Sequence, residues 1–133
     1  MNSKLVCVNA PFRWSLMVAA LLLWGFSQAE ATVYFVHPQG SASGDGLSWA
    51  SARQTVMGAV ALAQAGDEIW VAEGTYAEAV GLPSGVSIYG GFAGTETSLS
   101  QRSASGSATV IDGSTASGGG PADHVVTVAN AAG

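Results

Sequence analysis

The stretch "VSIYGGF", residues Val86–Phe92, is the clearest of four short β-branched runs that decide the fold class. The other three are "DEIWVAEG" (67–74), "ATVIDG" (108–113) and "DHVVTVAN" (123–130). Their apolar residues recur with a period of two, which is typical of strands. Gly90 and Gly91 interrupt the first run, and glycine lets the backbone turn where a Cβ would clash. We interpret this interruption as a corner in a scaffold rather than the wall of an active site.

The inward positions of the four runs align at intervals of 17 to 23 residues. One predicted ladder contains Val71, Ile88, Ile111 and Val128, and its neighbour contains Ile69, Val86, Thr109 and Val126. Stacked repeats need such columns, because each repeat buries its apolar side only against its neighbours. The alternative is an antiparallel sandwich, but the intervals are long for its tight hairpins. The pattern therefore favours an all-β parallel coil of strands.

The first 31 residues have the features of a secretory signal peptide. Lys4 and Arg13 precede the uncharged run Trp14–Phe26, and Ala29-Glu30-Ala31 forms a small-residue cleavage site. We expect cleavage after Ala31. The alternative, a membrane anchor, would need roughly 20 apolar residues, and this run is shorter. The predicted organisation is a signal peptide (1–31), an amino-terminal cap (32–66) and the first rungs (67–133).

The predicted cap consists of a strand, a loop and an amphipathic helix. The strand covers Thr32–Val36 and is broken by His37-Pro38. The helix begins in a capping box at Ser51–Gln54 and ends at Gly66, a typical C-cap residue. Its apolar face is formed by Val56, Ala59, Val60 and Ala63.

Charge limits the classes of partner. The chain carries a net charge of −5, and without residues 1–31 it would keep two arginines and eight acidic residues, a net charge of −6. Such a surface repels phosphate backbones and anionic lipid, so nucleic acid is excluded as a predicted partner. The single cysteine, Cys7, lies in the predicted signal peptide, so no disulfide is expected in the mature chain.

Three segments resemble a known family: "DGLSWASA" (45–52), "AGDEIWVAEGTY" (65–76) and "GVSIYGGFAGTETSLSQR" (85–102). They are similar to the amino-terminal portion of secreted bacterial right-handed parallel β-helix proteins of pectate-lyase-like fold. The resemblance covers about residues 33–130, and it implies that the first strand and helix cover the amino-terminal end of the coil. Two departures stand out. "SASGSA" follows Arg102 where the family often has an acidic residue and a tryptophan, and the chain stops at Gly133 where the family continues. We therefore expect a β-helix truncated after about four rungs.

Candidate chemical groups are few. Glu68, Glu73 and Glu78 could supply an acid and a base for glycan cleavage, but solvated charges are the favoured interpretation. Asp45 lies in a glycine-rich loop, and one carboxylate is too few for calcium. Asp67 is interpreted as a turn or cap residue.

No catalytic residue, metal site or cofactor is predicted. His37 and His124 stand far apart without further ligands. Trp70, Tyr89 and Asp112 fall on outward positions, where an aromatic ring and a carboxylate could contact a sugar. The favoured alternative is that they are ordinary half-buried residues on the face of a solenoid.

Two functions follow from these features. The preferred one is a secreted or cell-surface scaffold or adhesin-like module, the amino-terminal fragment of a larger protein, without catalysis of its own. The alternative is the amino-terminal piece of a polysaccharide lyase or glycoside hydrolase whose active site lies on later rungs. Expected partners are extracellular polysaccharide, surface proteins, or a second copy bound through the edge at Val125–Val128, with no membrane span after signal cleavage.

Overall fold

The computed structural model describes residues 29–103, 107–115 and 125–129. The chain divides into two units, residues 1–30 and 31–133, and the architecture below is that of the second. The predicted signal peptide therefore lies almost wholly outside the described residues. Within them, no helix has the length and apolar character needed to cross a bilayer.

Strands dominate the described residues, which confirms the prediction of a mainly β chain. The strands are β1 (Val33–Ser41), β2 (Glu68–Ala72), β3 (Gly74–Tyr76), β4 (Val80–Leu82), β5 (Ser87–Phe92), β6 (Thr109–Ile111) and β7 (Val126–Val128). The helices in the described residues are short: one α-helix, α1 (Val56–Val60), and two 3-10 helices at Trp49–Ser51 and Leu99–Gln101.

The strands form three small sheets in which every pairing is parallel. Sheet A has the order β1-β2-β5, sheet B pairs β3 with β6, and sheet C pairs β4 with β7. Strands β2, β3 and β4 visit sheets A, B and C in turn, and β5, β6 and β7 repeat that order. Each strand of the second pass therefore lies beside its counterpart from the first.

The two predicted ladders are wrong. Ile88 pairs with Ile69 in sheet A, whereas Ile111 pairs with Tyr76 in sheet B and Val128 with Leu82 in sheet C. The four β-branched runs thus occupy three different sheets. The prediction failed because β3 and β4 have only three residues each, too few to show a period. The described residues give three layers in sheet A and two in sheets B and C, not four rungs.

The glycine pair forms a bulge in β5. Trp70 pairs with Tyr89 and Ala72 pairs with Phe92, so Gly90 and Gly91 both lie opposite Val71. One extra residue reverses the side-chain alternation beyond it, which places Phe92 on the outer face of sheet A. Both positions require glycine.

A Cβ on Gly90 would lie 2.9 Å from the Thr109 Cβ, and one on Gly91 would lie 2.8 Å from the Ser103 carbonyl oxygen. Gly91 also has a φ of +88°, in the left-handed region that glycine tolerates best. The predicted clash of a Cβ at this glycine pair is confirmed, but the pair is a bulge within β5, which continues to Phe92, and not a corner.

The inner faces of the three sheets share one apolar core. Its buried residues are Val36, Val56, Ala59, Val60, Ile69, Val71, Tyr76, Val80 and Leu82. Helix α1 contacts β1, β2 and β4. Its predicted apolar face is confirmed, because Val56, Ala59 and Val60 are buried and Ala63 packs against them.

The predicted bounds of the helix are wrong at both ends. Ser51 ends the first 3-10 helix, and α1 begins at Val56 with Thr55 as its N-cap, where the Thr55 Oγ1 accepts a bond from the Gly58 amide at 3.1 Å. Between them, the backbone at Arg53 is extended, because Arg53 forms isolated parallel β-bridges with Val36 and Ser41 of β1. Gly66 does have a positive φ of 101°, but it lies in the turn before β2, beyond the end of α1 at Val60.

Strand β1 continues through the predicted break at His37-Pro38 and ends at Ser41. Its pairing with β2 ends at Val36, so Pro38 removes no bond from that ladder. The loop that follows β1 also holds the strand: the Phe35 amide donates to the Gly46 carbonyl at 2.7 Å and, beyond Val36, the Ser41 amide donates to the Ala52 carbonyl at 2.9 Å.

Four aromatic rings cover the outer face of sheet A. Phe92 stacks on Trp70 with ring centroids 4.8 Å apart and an angle of 8° between the planes. Phe35 and Trp49 complete the cluster at centroid distances of 4.7 to 5.8 Å. Sheet A is therefore packed on both faces.

We expect Phe92→Ala to lower the free energy of unfolding by about 3–5 kcal/mol, because it removes a fully buried ring and leaves a cavity in the cluster. Urea denaturation followed by tryptophan fluorescence measures the loss. Met57→Ala is the control, since Met57 is 40 % exposed and should cost much less. Equal losses in the two variants would show that Phe92 is not packed as described.

Candidate functional site

Glu78 holds the start of helix α1. Its Oε1 accepts a hydrogen bond from the Val56 amide at 2.8 Å and its Oε2 accepts one from the Met57 amide at 2.9 Å. These amides belong to the first turn, where no intrahelical carbonyl is available to them. The interpretation of Glu78 as a solvated charge is wrong. No local sequence motif indicates this role, because Glu78 lies in the turn between β3 and β4, far along the chain from Val56.

Asp67 closes the turn before β2, which confirms the predicted cap. Its carboxylate accepts bonds from the Gln64 amide at 2.8 Å and the Thr32 amide at 2.9 Å, and these bonds lower its pKa. Asp45 is engaged in the same way: it accepts bonds from the Ser51 hydroxyl and from the Leu47 amide, which lower its pKa. Throughout residues 29–103, 107–115 and 125–129, no three His, Cys, Asp or Glu side chains converge as metal ligands.

The remaining acidic and histidine candidates are separate from one another. Glu68 accepts a bond from the Trp70 indole at 2.9 Å, whereas Glu73 is exposed. His37 accepts a bond at Nδ1 from the Gln39 amide at 3.1 Å. His124 lies outside the described residues. The hydrogen bonds of Glu68 and His37 are local and do not join one candidate to another.

Glu96 organises the loop after β5. Its carboxylate accepts bonds from three consecutive amides, those of Ala93 (2.6 Å), Gly94 (2.9 Å) and Thr95 (2.9 Å). Burial disfavours the charged form, but these backbone bonds outweigh it and lower the pKa of Glu96. The Glu96 carbonyl also accepts a 2.8 Å bond from the Trp49 indole, which joins this loop to the aromatic cluster.

The three predicted sugar contacts do not form one patch. Trp70 and Tyr89 are paired neighbours on the outer face of sheet A, but Trp70 is only 6 % exposed beneath Phe92. Asp112 lies beyond β6, where its amide donates to Tyr76 in sheet B and its carboxylate accepts a 2.9 Å bond from the Ser114 amide. The hydrogen bond from the Ser114 amide lowers the pKa of Asp112. Tyr89 and Asp112 are both partly accessible, and only Trp70 is buried.

A shallow depression adjoins Tyr89. It has a volume of about 370 Å³ and is lined by the glycine bulge, Arg102, Ser103 and the segment 107–109. The Arg102 guanidinium carbon lies 5.6 Å from the centroid of the Tyr89 ring, a cation–π distance. The Ser103 amide donates to the Gly91 carbonyl at 2.8 Å, so the chain after Arg102 is held against the bulge. The guanidinium of Arg102, residues with hydroxyl groups and the closely spaced backbone at the glycine bulge therefore line the same depression.

The sequence analysis does not place Arg102 beside Tyr89. Arg102 is separated from Tyr89 by the loop after β5, and nothing in a single sequence indicates that this loop returns to the bulge. A basic residue in an acidic chain, just after a loop rich in hydroxylated residues, was the available signal. Comparison of the chain with protein-family models, with curated proteins and with solved structures finds no match.

We expect Glu78→Ala to lower the free energy of unfolding by about 1–2 kcal/mol, because two first-turn amides of α1 lose their acceptor. Glu73→Ala is the matched control, since it removes the same side chain from an exposed site. Urea midpoints measure both variants. A Glu73 variant as destabilised as the Glu78 variant would mean that loss of negative charge, not of the cap, is responsible.

Glu96 should make stability depend on pH in the acid range. Its pKa is lowered below the usual 4.5, so its contribution is complete above the pKa of the unfolded chain and is lost as pH falls through the folded pKa. We expect Glu96→Gln to have a lower urea midpoint than wild type at neutral pH and to approach wild type in acid.

The pKa values of Asp45, Asp67 and Asp112 are also lowered, so these groups also make the chain less stable as pH falls. Only the difference in urea midpoint between wild type and variant therefore isolates the contribution of Glu96. A difference that stays constant from neutral to acid pH would contradict this role.

Proposed function

We propose that the chain is an extracellular scaffold module, built as a right-handed parallel β-helix, that binds polysaccharide without cleaving it. The observation that carries this proposal is that carboxylates of the described residues are engaged in stabilising the fold. Six acidic side chains accept hydrogen bonds from backbone amides, a serine hydroxyl or an indole that stabilise turns, a helix end or the outer face of sheet A: Asp45, Asp67, Glu68, Glu78, Glu96 and Asp112.

The repeated order of the sheets supports the β-helix. The chain passes through sheets A, B and C in the same order twice, with parallel pairing each time. Parallel crossovers are almost always right-handed, which gives the proposed hand. The family resemblance of "AGDEIWVAEGTY" and "GVSIYGGFAGTETSLSQR" points to the same architecture.

The state of the titratable groups supports a role in binding rather than in catalysis. A general acid or base must exchange protons with substrate at working pH and therefore needs a matched pKa. Here the pKa values of Asp45, Asp67, Glu96 and Asp112 are lowered by structural hydrogen bonds. Tyr76 is buried, donates to the Ala72 carbonyl at 3.1 Å, and has its pKa raised by burial.

Polysaccharide is the partner that the accessible surface favours. The depression is lined by a cation, Arg102, and by hydroxylated residues, and the Tyr89 ring lies next to it in contact with Arg102. Sugars are bound by such combinations of stacking and polar contacts. Self-association is a second part of the proposal, because Val125, Val126 and Val128 are 37 %, 45 % and 62 % exposed and the last two lie on β7.

The full chain, expressed in a bacterial host, tests the proposal in one preparation. We expect the exported protein to begin at Thr32, by mass spectrometry, and to bind members of a panel of neutral and acidic polysaccharides in pull-down assays. We expect no new reducing ends and no new absorbance from unsaturated sugars during incubation.

Three results would contradict the proposal in separable ways. Retention inside the cell with an intact Met1 would refute the location. Release of new chain ends would refute the absence of catalysis, and failure to bind any polysaccharide in the panel would refute the partner.

A further inference from the structure

We propose that His37 is a pH-sensitive switch for the loop that follows β5, residues 93–97. When the imidazole takes up a proton, this loop loosens from sheet A and its contact with Trp49 is released. Histidine is the side chain that ordinarily changes charge between pH 5 and 8. The proposal concerns a conformational change of the chain and does not depend on the proposed binding of polysaccharide.

The His37 ring is in contact on two opposite edges. On one edge, Nδ1 accepts a hydrogen bond from the Gln39 amide at 3.1 Å. On the other, the ring packs so closely on Gly94 that a Cβ there would lie 3.0 Å from the His37 Cδ2 and 3.3 Å from its Nε2. The backbone of the loop therefore meets the ring directly, and the ring cannot turn without affecting the loop.

The contact at Gly94 is connected to the aromatic cluster through Glu96. The Glu96 carboxylate accepts bonds from the amides of residues 93–95, which include that of Gly94. The Glu96 carbonyl accepts a 2.8 Å bond from the Trp49 indole, and Trp49 packs on Phe92 with ring centroids 5.8 Å apart. A continuous series of contacts thus joins the imidazole to Trp49.

Protonation removes the acceptor that holds the ring. A neutral imidazole that accepts at Nδ1 carries its proton on Nε2, whereas the charged imidazole donates from both nitrogens. The charged His37 ring therefore offers the Gln39 amide no acceptor in either orientation. The ring turns, and its contact with Gly94 changes as well, because both edges belong to one rigid plane. Its charge also attracts the Glu96 carboxylate, which competes with the three amides for the same oxygens.

Other titratable groups lie on the elements and loops that pack near His37. They are Asp45, Arg53, Glu68, Glu73, Tyr76 and Glu96. The pKa values of Asp45 and Glu96 are lowered, so both carboxylates stay charged from pH 5 to pH 8. The pKa of Tyr76 is raised by burial, so its phenol stays neutral. All six side chains are retained in the variants below, so a pH response that comes from them would survive the replacement of His37.

Hydrogen exchange of the full chain tests the proposal. It is read as protection factors for the amides of residues 93–97, so that the intrinsic pH dependence of exchange cancels. We expect wild type to lose protection roughly fivefold between pH 7.5 and pH 5, the change expected from one hydrogen bond. His37→Asn should show no such loss, because its carbonyl oxygen can accept at the place of Nδ1 and does not titrate. His37→Ala has no acceptor there and should be poorly protected at both pH values.

His124→Asn is the matched control, because the chain has two histidines and this variant removes the other one. It should keep the wild-type response, and the amides of β2 should keep their protection throughout. Equal protection of the wild-type loop at the two pH values would overturn the proposal. A response that persists in His37→Asn or disappears in His124→Asn would overturn it too, since another group would then be the sensor.

An equal loss of protection in β2 would also contradict the proposal, because it would show a change in global stability rather than in one loop. Should His37→Asn fail to fold, the wild-type response and its survival in His124→Asn decide between the two histidines.

Discussion

The bulge at Gly90 and Gly91 is the constraint on which the rest of the structure depends. Two residues of β5 lie opposite Val71 alone, and the side-chain alternation reverses beyond them. Phe92 is thereby placed on the outer face, where it stacks on Trp70 and allows sheet A to be buried on both sides. The same two glycines admit Thr109 and Ser103 at distances that a Cβ would forbid, so the next sheet and the following loop close against the bulge.

Charge serves the fold of this chain mainly through backbone amides. Glu96 accepts bonds from three consecutive amides, Glu78 from two at the start of α1, and Asp67 from two around the turn into β2. Short strands and short helices leave many backbone groups without a partner in regular secondary structure. A carboxylate satisfies two or three of them at once. The acidic composition is therefore connected to architecture at these positions.

This use of carboxylates also bears on the function of the chain. Groups already held by structural hydrogen bonds are poorly suited to exchange protons with a substrate, whereas an exposed guanidinium on an aromatic ring is suited to recognition. The bulge links the two roles, because the glycines that organise the fold also line the depression next to Arg102. The same two glycines thus serve the fold and line the depression.

The sequence by itself determined the mainly β character, the apolar face of α1, the cap at Asp67 and the irregularity at the glycine pair, because each depends on residues that are close along the chain. Only the tertiary structure decided the strand register, the burial of Trp70, the helix cap by Glu78 and the approach of Arg102 to Tyr89. Strands of three residues, such as β3 and β4, carry no measurable period, so the four long runs were aligned across different sheets. Contacts such as Glu78 to Val56 form between distant segments, and no pattern in one chain indicates which segments fold together.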